Sequence, residues 1–115
     1  MPHSNSYLRF LNLLRGVEAS FLPPGLDSTA KYLLERIACQ HAMGKPLTVT
    51  EAMALQDVAS PATIHRKLDD LRTAGMVDTE FHGDNRRTKY LAPTGKARKY
   101  FDKVSALIPS AIAPR

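Results

Sequence analysis

Cysteine is almost missing from this chain. Its 115 residues contain one, Cys39, so no internal disulfide can form and the expected compartment is a reducing one, the cytoplasm. That cysteine has no cationic cluster beside it in sequence to activate a thiolate, and it reads as a small packing residue. No run of about 18 apolar residues occurs, so there is no candidate membrane span. The opening Met1-Pro2-His3-Ser4-Asn5 lacks the basic and apolar blocks of a signal peptide, and export is not expected. The histidines, His3, His41, His65 and His82, fall on separate segments, with no His-x-x-x-His or Cys-x-x-Cys spacing, so neither a metal nor another cofactor is expected. A glycine-rich phosphate loop, a nucleophile elbow and metalloprotease spacing are all lacking as well. The chain is not expected to be an enzyme.

What is present is an ordinary globular composition, 43% hydrophobic and 23% charged, on a chain long enough for one modest core. Sixteen Lys and Arg stand against eleven Asp and Glu, a balance that favours a polyanionic partner. The basic excess is concentrated between Ile64 and Tyr100, in Arg66, Lys67, Arg72, Arg86, Arg87, Lys89, Lys96, Arg98 and Lys99.

Tyr7, Phe10, Leu11, Leu14 and Val17 recur at helical spacing and predict a helix over 6–19, capped by Ser4, Asn5 or Ser6 and stopped by Pro23-Pro24-Gly25. After Asp27 or Ser28 as cap, Ala30, Leu33, Leu34, Ile37, Ala38 and His41 form the stripe of a second helix, closed by Gly44-Lys45-Pro46; Tyr32, Cys39 and Met43 lie opposite and suit a dimer or intersegment contact. Thr48-Val49-Thr50-Glu51 has the form of a capping box and opens a third helix of about two turns with Ala52, Met53 and Leu55. Ser60-Pro61 pairs an N-cap with proline at the first helical position, and a fourth helix follows to about Ala74, with Ile64, Leu68 and Leu71 inward and Gly75 as terminator. Strands are expected over 76–81 and 88–92, joined by a turn over 82–87. Thr94 caps a last helix with Ala97, Tyr100, Phe101, Val104, Leu107 and Ile108 on its apolar side, ending at Pro109, and Pro114 leaves the tail irregular.

Two short helices, a basic-tipped hairpin and a further helix follow the order of a winged helix-turn-helix. The expected fold is therefore mainly α with a small β-hairpin wing (α+β). A helix at 61–74 is narrow enough for a major groove, and the hairpin tip can reach the backbone or the adjacent minor groove. Ala62, Thr63 and Arg66 are the base-reading candidates, with His65 and Lys67 at the edge of that face, since Arg pairs bidentately with guanine and the methyls of Ala and Thr meet thymine methyls. Ser60 is both cap and candidate phosphate contact. Arg86 and Arg87 suit a minor groove or phosphates, and Lys89 suits a phosphate.

The stretch Ser60-Pro61-Ala62-Thr63-Ile64-His65-Arg66-Lys67-Leu68-Asp69-Asp70-Leu71-Arg72-Thr73-Ala74-Gly75-Met76-Val77, followed by Asp84-Asn85-Arg86-Arg87 and Thr94-Gly95, resembles the MarR family of transcription regulators over about 26–108. The resemblance implies double-stranded DNA as partner and a homodimer whose terminal helices pair between subunits, each recognition helix reading half of a pseudopalindrome. It divides the chain into 1–25 (dimerisation helix and linker), 26–93 (DNA-binding core) and 94–115 (dimerisation helix and tail). It further implies that Asp84 pairs with Arg86 to hold the wing in shape. Repression by blocking promoter access is the expected outcome, and a small-molecule effector stays an open question. The competing reading is a winged helix that binds protein, or DNA without sequence preference in an architectural role, because a fold does not dictate its partner.

Overall fold

The computed structural model describes residues 5–112; the cap candidate Ser4, His3 and the tail residue Pro114 lie outside them. The order is α1 (Ser6–Phe21), α2 (Ser28–Ala42), α3 (Val49–Met53), α4 (Pro61–Thr73), β1 (Val77–His82), β2 (Asn85–Pro93) and α5 (Gly95–Ile112). No helix among the described residues is long and apolar enough to cross a membrane. The chain divides into two compact units, Pro24–Ala97 and the remainder at either end.

In the unit Pro24–Ala97, the helical stripes meet as their spacing requires. Leu33, Leu34 and Ile37 of α2, Ile64, Leu68 and Leu71 of α4, Met76 just before the hairpin and Leu91 of β2 are essentially inaccessible to solvent. Local chemistry fixes where each helix starts. The Asp27 carboxylate accepts from the Ala30 N–H at 2.9 Å. Thr48 and Glu51 form the reciprocal capping box, at 3.1 and 2.9 Å. Ser60 Oγ accepts from the Thr63 N–H at 3.3 Å, with Pro61 following in the first turn. α3 is shorter than its pattern suggests: it ends at Met53, and Leu55 belongs to the turn that follows.

The end of α4 is built with equal care. The N–H groups of Gly75 and Met76 donate to the carbonyls of Arg72 and Leu71, the paired bonds of a Schellman ending, and Gly75 takes φ +76°, a conformation that suits a residue without Cβ. Met76 and Leu71, the apolar pair that accompanies such an ending, are both fully buried. Thr94 Oγ1 then donates to the Gly75 carbonyl at 2.6 Å, and Lys96 Nζ donates to the Ala74 carbonyl at 2.9 Å. The Thr94 N–H donates to the Met76 carbonyl at 3.1 Å, so the base of the hairpin is closed onto the end of α4.

The two antiparallel strands run further than the sequence pattern predicts. His82 pairs with Asn85 across the two-residue turn Gly83-Asp84, with Gly83 at φ +61°, so the expected six-residue loop over 82–87 is corrected to a tight turn. The register slips just below it: Phe81 pairs with Lys89, which leaves Arg86, Arg87 and Thr88 as extra residues on β2. Asn85 Oδ1 makes this workable by accepting from the N–H groups of Arg87 and Thr88, at 2.9 and 3.2 Å. The Leu91 N–H donates to the Leu47 carbonyl at 2.7 Å, tying β2 to the segment between α2 and α3.

In the other unit, α1 continues two residues past Ala19 and contains no fully buried residue. Tyr7 and Leu8 are 67% and 60% exposed. Thr94 caps α5 through the Ala97 N–H as expected, but α5 passes through Pro109 to Ile112 instead of ending there. Proline at that point removes one bond, to the carbonyl of Ser105, a residue on the exposed side where water can replace it. Ile108 and Ile112 are about half exposed, while Tyr100 is buried with its ring centroid 5.3 Å from that of Phe101.

Leu68 sits in the middle of the α4 stripe, so Leu68→Ala is expected to destabilise the chain by about 2–5 kcal/mol through lost burial and the cavity left behind. Urea unfolding followed by circular dichroism checks this: the midpoint should fall with little change in slope.

Candidate nucleic-acid interface

Burying Ile64, Leu68 and Leu71 turns the opposite side of α4 to solvent. Ser60, Ala62, His65 and Arg66 are exposed there and Thr63 is half-buried. Three of these side chains form one hydrogen-bonded chain: Ser60 Oγ to Thr63 Oγ1 at 3.0 Å, and Arg66 Nη2 to Thr63 Oγ1 at 3.2 Å. The cap, the threonine and the arginine therefore hold one another in register along the first turns of the helix. Anchoring one guanidinium nitrogen on Thr63 leaves the remaining donors of Arg66 for a ligand. His65 faces Asp69 one turn on, with Nδ1 3.6 Å from the carboxylate.

Lys67 stands apart from this group. Its ammonium lies 2.7 Å from Asp27, and its side chain is largely covered. The hydrogen bond from Lys67, with that of the Ala30 N–H, holds the Asp27 carboxyl below its ordinary pKa. Lys67 thus links α4 to the cap of α2, a contact between residues forty positions apart that periodicity does not reveal.

The wing supplies the second set of cations. Arg86, Arg87 and Lys89 are exposed, and none has a carboxylate partner among the described residues. Arg86 and Lys89 lie against the ring of Phe81, with Cζ and Nζ 5.5 and 5.9 Å from its centroid. The expected Asp84–Arg86 pair does not form; Asp84 occupies the turn itself, and Asn85 does the shaping through its two backbone bonds. Both Phe81 and Asn85 escape the sequence reading. The available signals were strand alternation, which places Phe81 and Lys89 on one face, and an Asn preceding a polar run, the pattern of a side chain that caps its own backbone.

The Asp57 carboxylate in the turn between α3 and α4 accepts from Tyr32 Oη at 3.0 Å and from the Arg36 guanidinium. The Tyr32 hydrogen bond and the Arg36 charge both lower the pKa of Asp57. Tyr32 thus makes the intersegment contact its position suggested, whereas Cys39 is exposed instead of packed. His41 and Glu80 meet at 2.8 Å, and His82 lies edge-on to Tyr90.

The arrangement has the winged-helix fold, similar to the crystal structure of a MarR-like transcriptional regulator from Thermotoga maritima. The TM-score is 0.61 at 19% sequence identity, over 95% of this chain and 77% of that one. No protein-family model matches the chain, and no curated protein does.

The Asp27–Lys67 contact has a pH signature. A carboxyl whose folded pKa is depressed contributes stability above its unfolded value and loses it as pH falls through the folded value. Asp27→Asn keeps an acceptor for the Ala30 N–H but removes the charge. Urea melts of both proteins should therefore show the wild type more stable at pH well above 3.8 and the difference closing below it. A pH-independent difference would assign the effect to the cap alone.

Proposed function

We propose that this chain is a sequence-specific double-stranded-DNA-binding transcription regulator of the cytoplasm, a homodimer that represses by occluding a promoter, with no catalytic step of its own. The observation that carries this reading is the pairing, within one compact unit, of the Ser60–Thr63–Arg66 face of α4 with a wing whose Arg86, Arg87 and Lys89 have no carboxylate partner among the described residues. A helix face that joins a fixed arginine to small residues suits base edges in the major groove, and uncompensated cations on a thin hairpin suit phosphates or the adjacent minor groove. The T. maritima protein, described as a transcriptional regulator, supports the same assignment. For the dimer, the support is the apolar surface that α1 and α5 leave exposed through Tyr7, Leu8, Ile108 and Ile112.

Selection of bound duplexes from a random pool at moderate salt tests the proposal. The expected product is a two-fold symmetric motif with half-sites about one helical turn apart. Enrichment without symmetry would remove the dimer, binding without enrichment would indicate an architectural protein, and no binding at low salt would favour a protein partner. Within the recovered motif, Arg66→Ala should cost about 1–3 kcal/mol at the base pair it reads and relax the preference there. Lys89→Ala should weaken all sequences alike and lower the slope of log K against log salt by about one. Equal, sequence-independent losses from both variants would refute this division of labour.

A further inference from the structure

Phe81 is placed where a core residue would be expected and yet is 38% exposed. Directly paired residues of antiparallel strands share a face, and on this face the rungs are Val77 with Pro93, Thr79 with Leu91, and Phe81 with Lys89. Val77, Pro93 and Leu91 are buried, so the face starts in the core and runs out of it at Phe81. There the ring is met by cations: the guanidinium of Arg86 and the ammonium of Lys89 are both within 6 Å of its centroid, the range in which the ring quadrupole attracts positive charge. The backbone carrying Arg86 is held by Asn85 at the start of the register slip, so main chain and side chain are fixed by different residues.

We propose that Phe81 is a positioning residue of the wing: it holds Arg86 and Lys89 ordered against its ring in the free protein, so that both meet the phosphates of a duplex already arranged. The proposal rests on the DNA-binding reading above. Arg and Lys have among the largest rotamer entropies to lose on binding, and ordering them beforehand lowers that loss without adding a contact. Leucine at this site would keep apolar cover but supply no quadrupole, whereas tyrosine would keep the ring face.

The test is a thermodynamic cycle on the duplex recovered from the random pool, read by fluorescence anisotropy across a salt series. Phe81→Leu, and Phe81→Ile as a second strand-forming variant, should weaken binding by about threefold to tenfold. The salt slope should be unchanged because no charge is removed. Phe81→Tyr should bind within about twofold of the wild type. In an Arg86→Ala/Lys89→Ala background, Phe81→Leu should have no further effect. In the protein without DNA, Phe81→Leu should abolish the upfield ring-current displacement of the Arg86 and Lys89 side-chain proton resonances and leave the core amide spectrum intact. Wild-type binding combined with an undiminished Phe81→Leu protein overturns the inference alone, as does a penalty that persists in the double-alanine background, which would mean that the ring itself touches DNA. A wild type that binds no duplex overturns the DNA reading and this inference together.

Discussion

The side chains that α4 exposes on the candidate interface depend for their placement on how that helix is clamped. Its inward stripe of Ile64, Leu68 and Leu71 fixes rotation about the helix axis, since turning the helix would bring polar side chains into the core. Its two ends fix position along the axis. Ser60 closes the beginning, while the Schellman bonds of Gly75 and Met76, with Thr94 and Lys96 on the last carbonyls, close the end. The same Thr94 that latches α4 also pairs with Met76 at the base of the hairpin and caps α5. Helix and wing are thus set from a single junction, and a side chain on either is only as well placed as that junction.

Charge is divided along similar lines. Some basic groups are committed to the fold: Lys67 to Asp27, Arg36 to Asp57, and Lys96 to the Ala74 carbonyl. Contacts of this kind at or near the surface contribute little stability each, so their use lies in holding neighbouring elements in register. Among the described residues, the wing cations Arg86, Arg87 and Lys89 have no such carboxylate partner. Collecting them in one place involves mutual repulsion in the free protein, which the Phe81 ring partly offsets and a polyanion would relieve fully.

The parts of this arrangement that were legible in the sequence are those governed by neighbours within a few residues. Thr48 to Glu51, Ser60-Pro61 and Gly75 specify helix ends through local hydrogen bonds, and the α2 and α4 stripes follow from a period that packing leaves intact. Illegible were the features that depend on distant partners or on register. Lys67 looks like one more exposed cation until Asp27 arrives from the far side of two helices. At the wing tip the turn residues suggest a loop, and only the pairing of His82 with Asn85 shows that the strands continue and that the excess residues sit within β2. Pro109 has the look of a stop because proline usually is one; in the last turn of α5 it forfeits a single bond on an exposed side.

The terminal helices pose a different energetic problem from the core. α1 is 16 residues long and has none fully buried, whereas helices in proteins owe most of their stability to packing an amphipathic face and not to propensity. It also carries Gly16, a weak helix former, in its interior. Local propensity therefore cannot account for a continuous helix from Ser6 to Phe21, and its half-covered Phe10, Leu11, Leu14 and Val17 supply only part of the remainder. Covering Tyr7 and Leu8, together with Ile108 and Ile112 of α5, would supply more, at about 25 cal/mol per Å² of apolar surface removed from water. A second copy of the chain, the association proposed above, would provide that cover by symmetry without requiring any other partner. On that proposal the end helices would draw from a partner copy the stability that neither local propensity nor burial within one chain supplies.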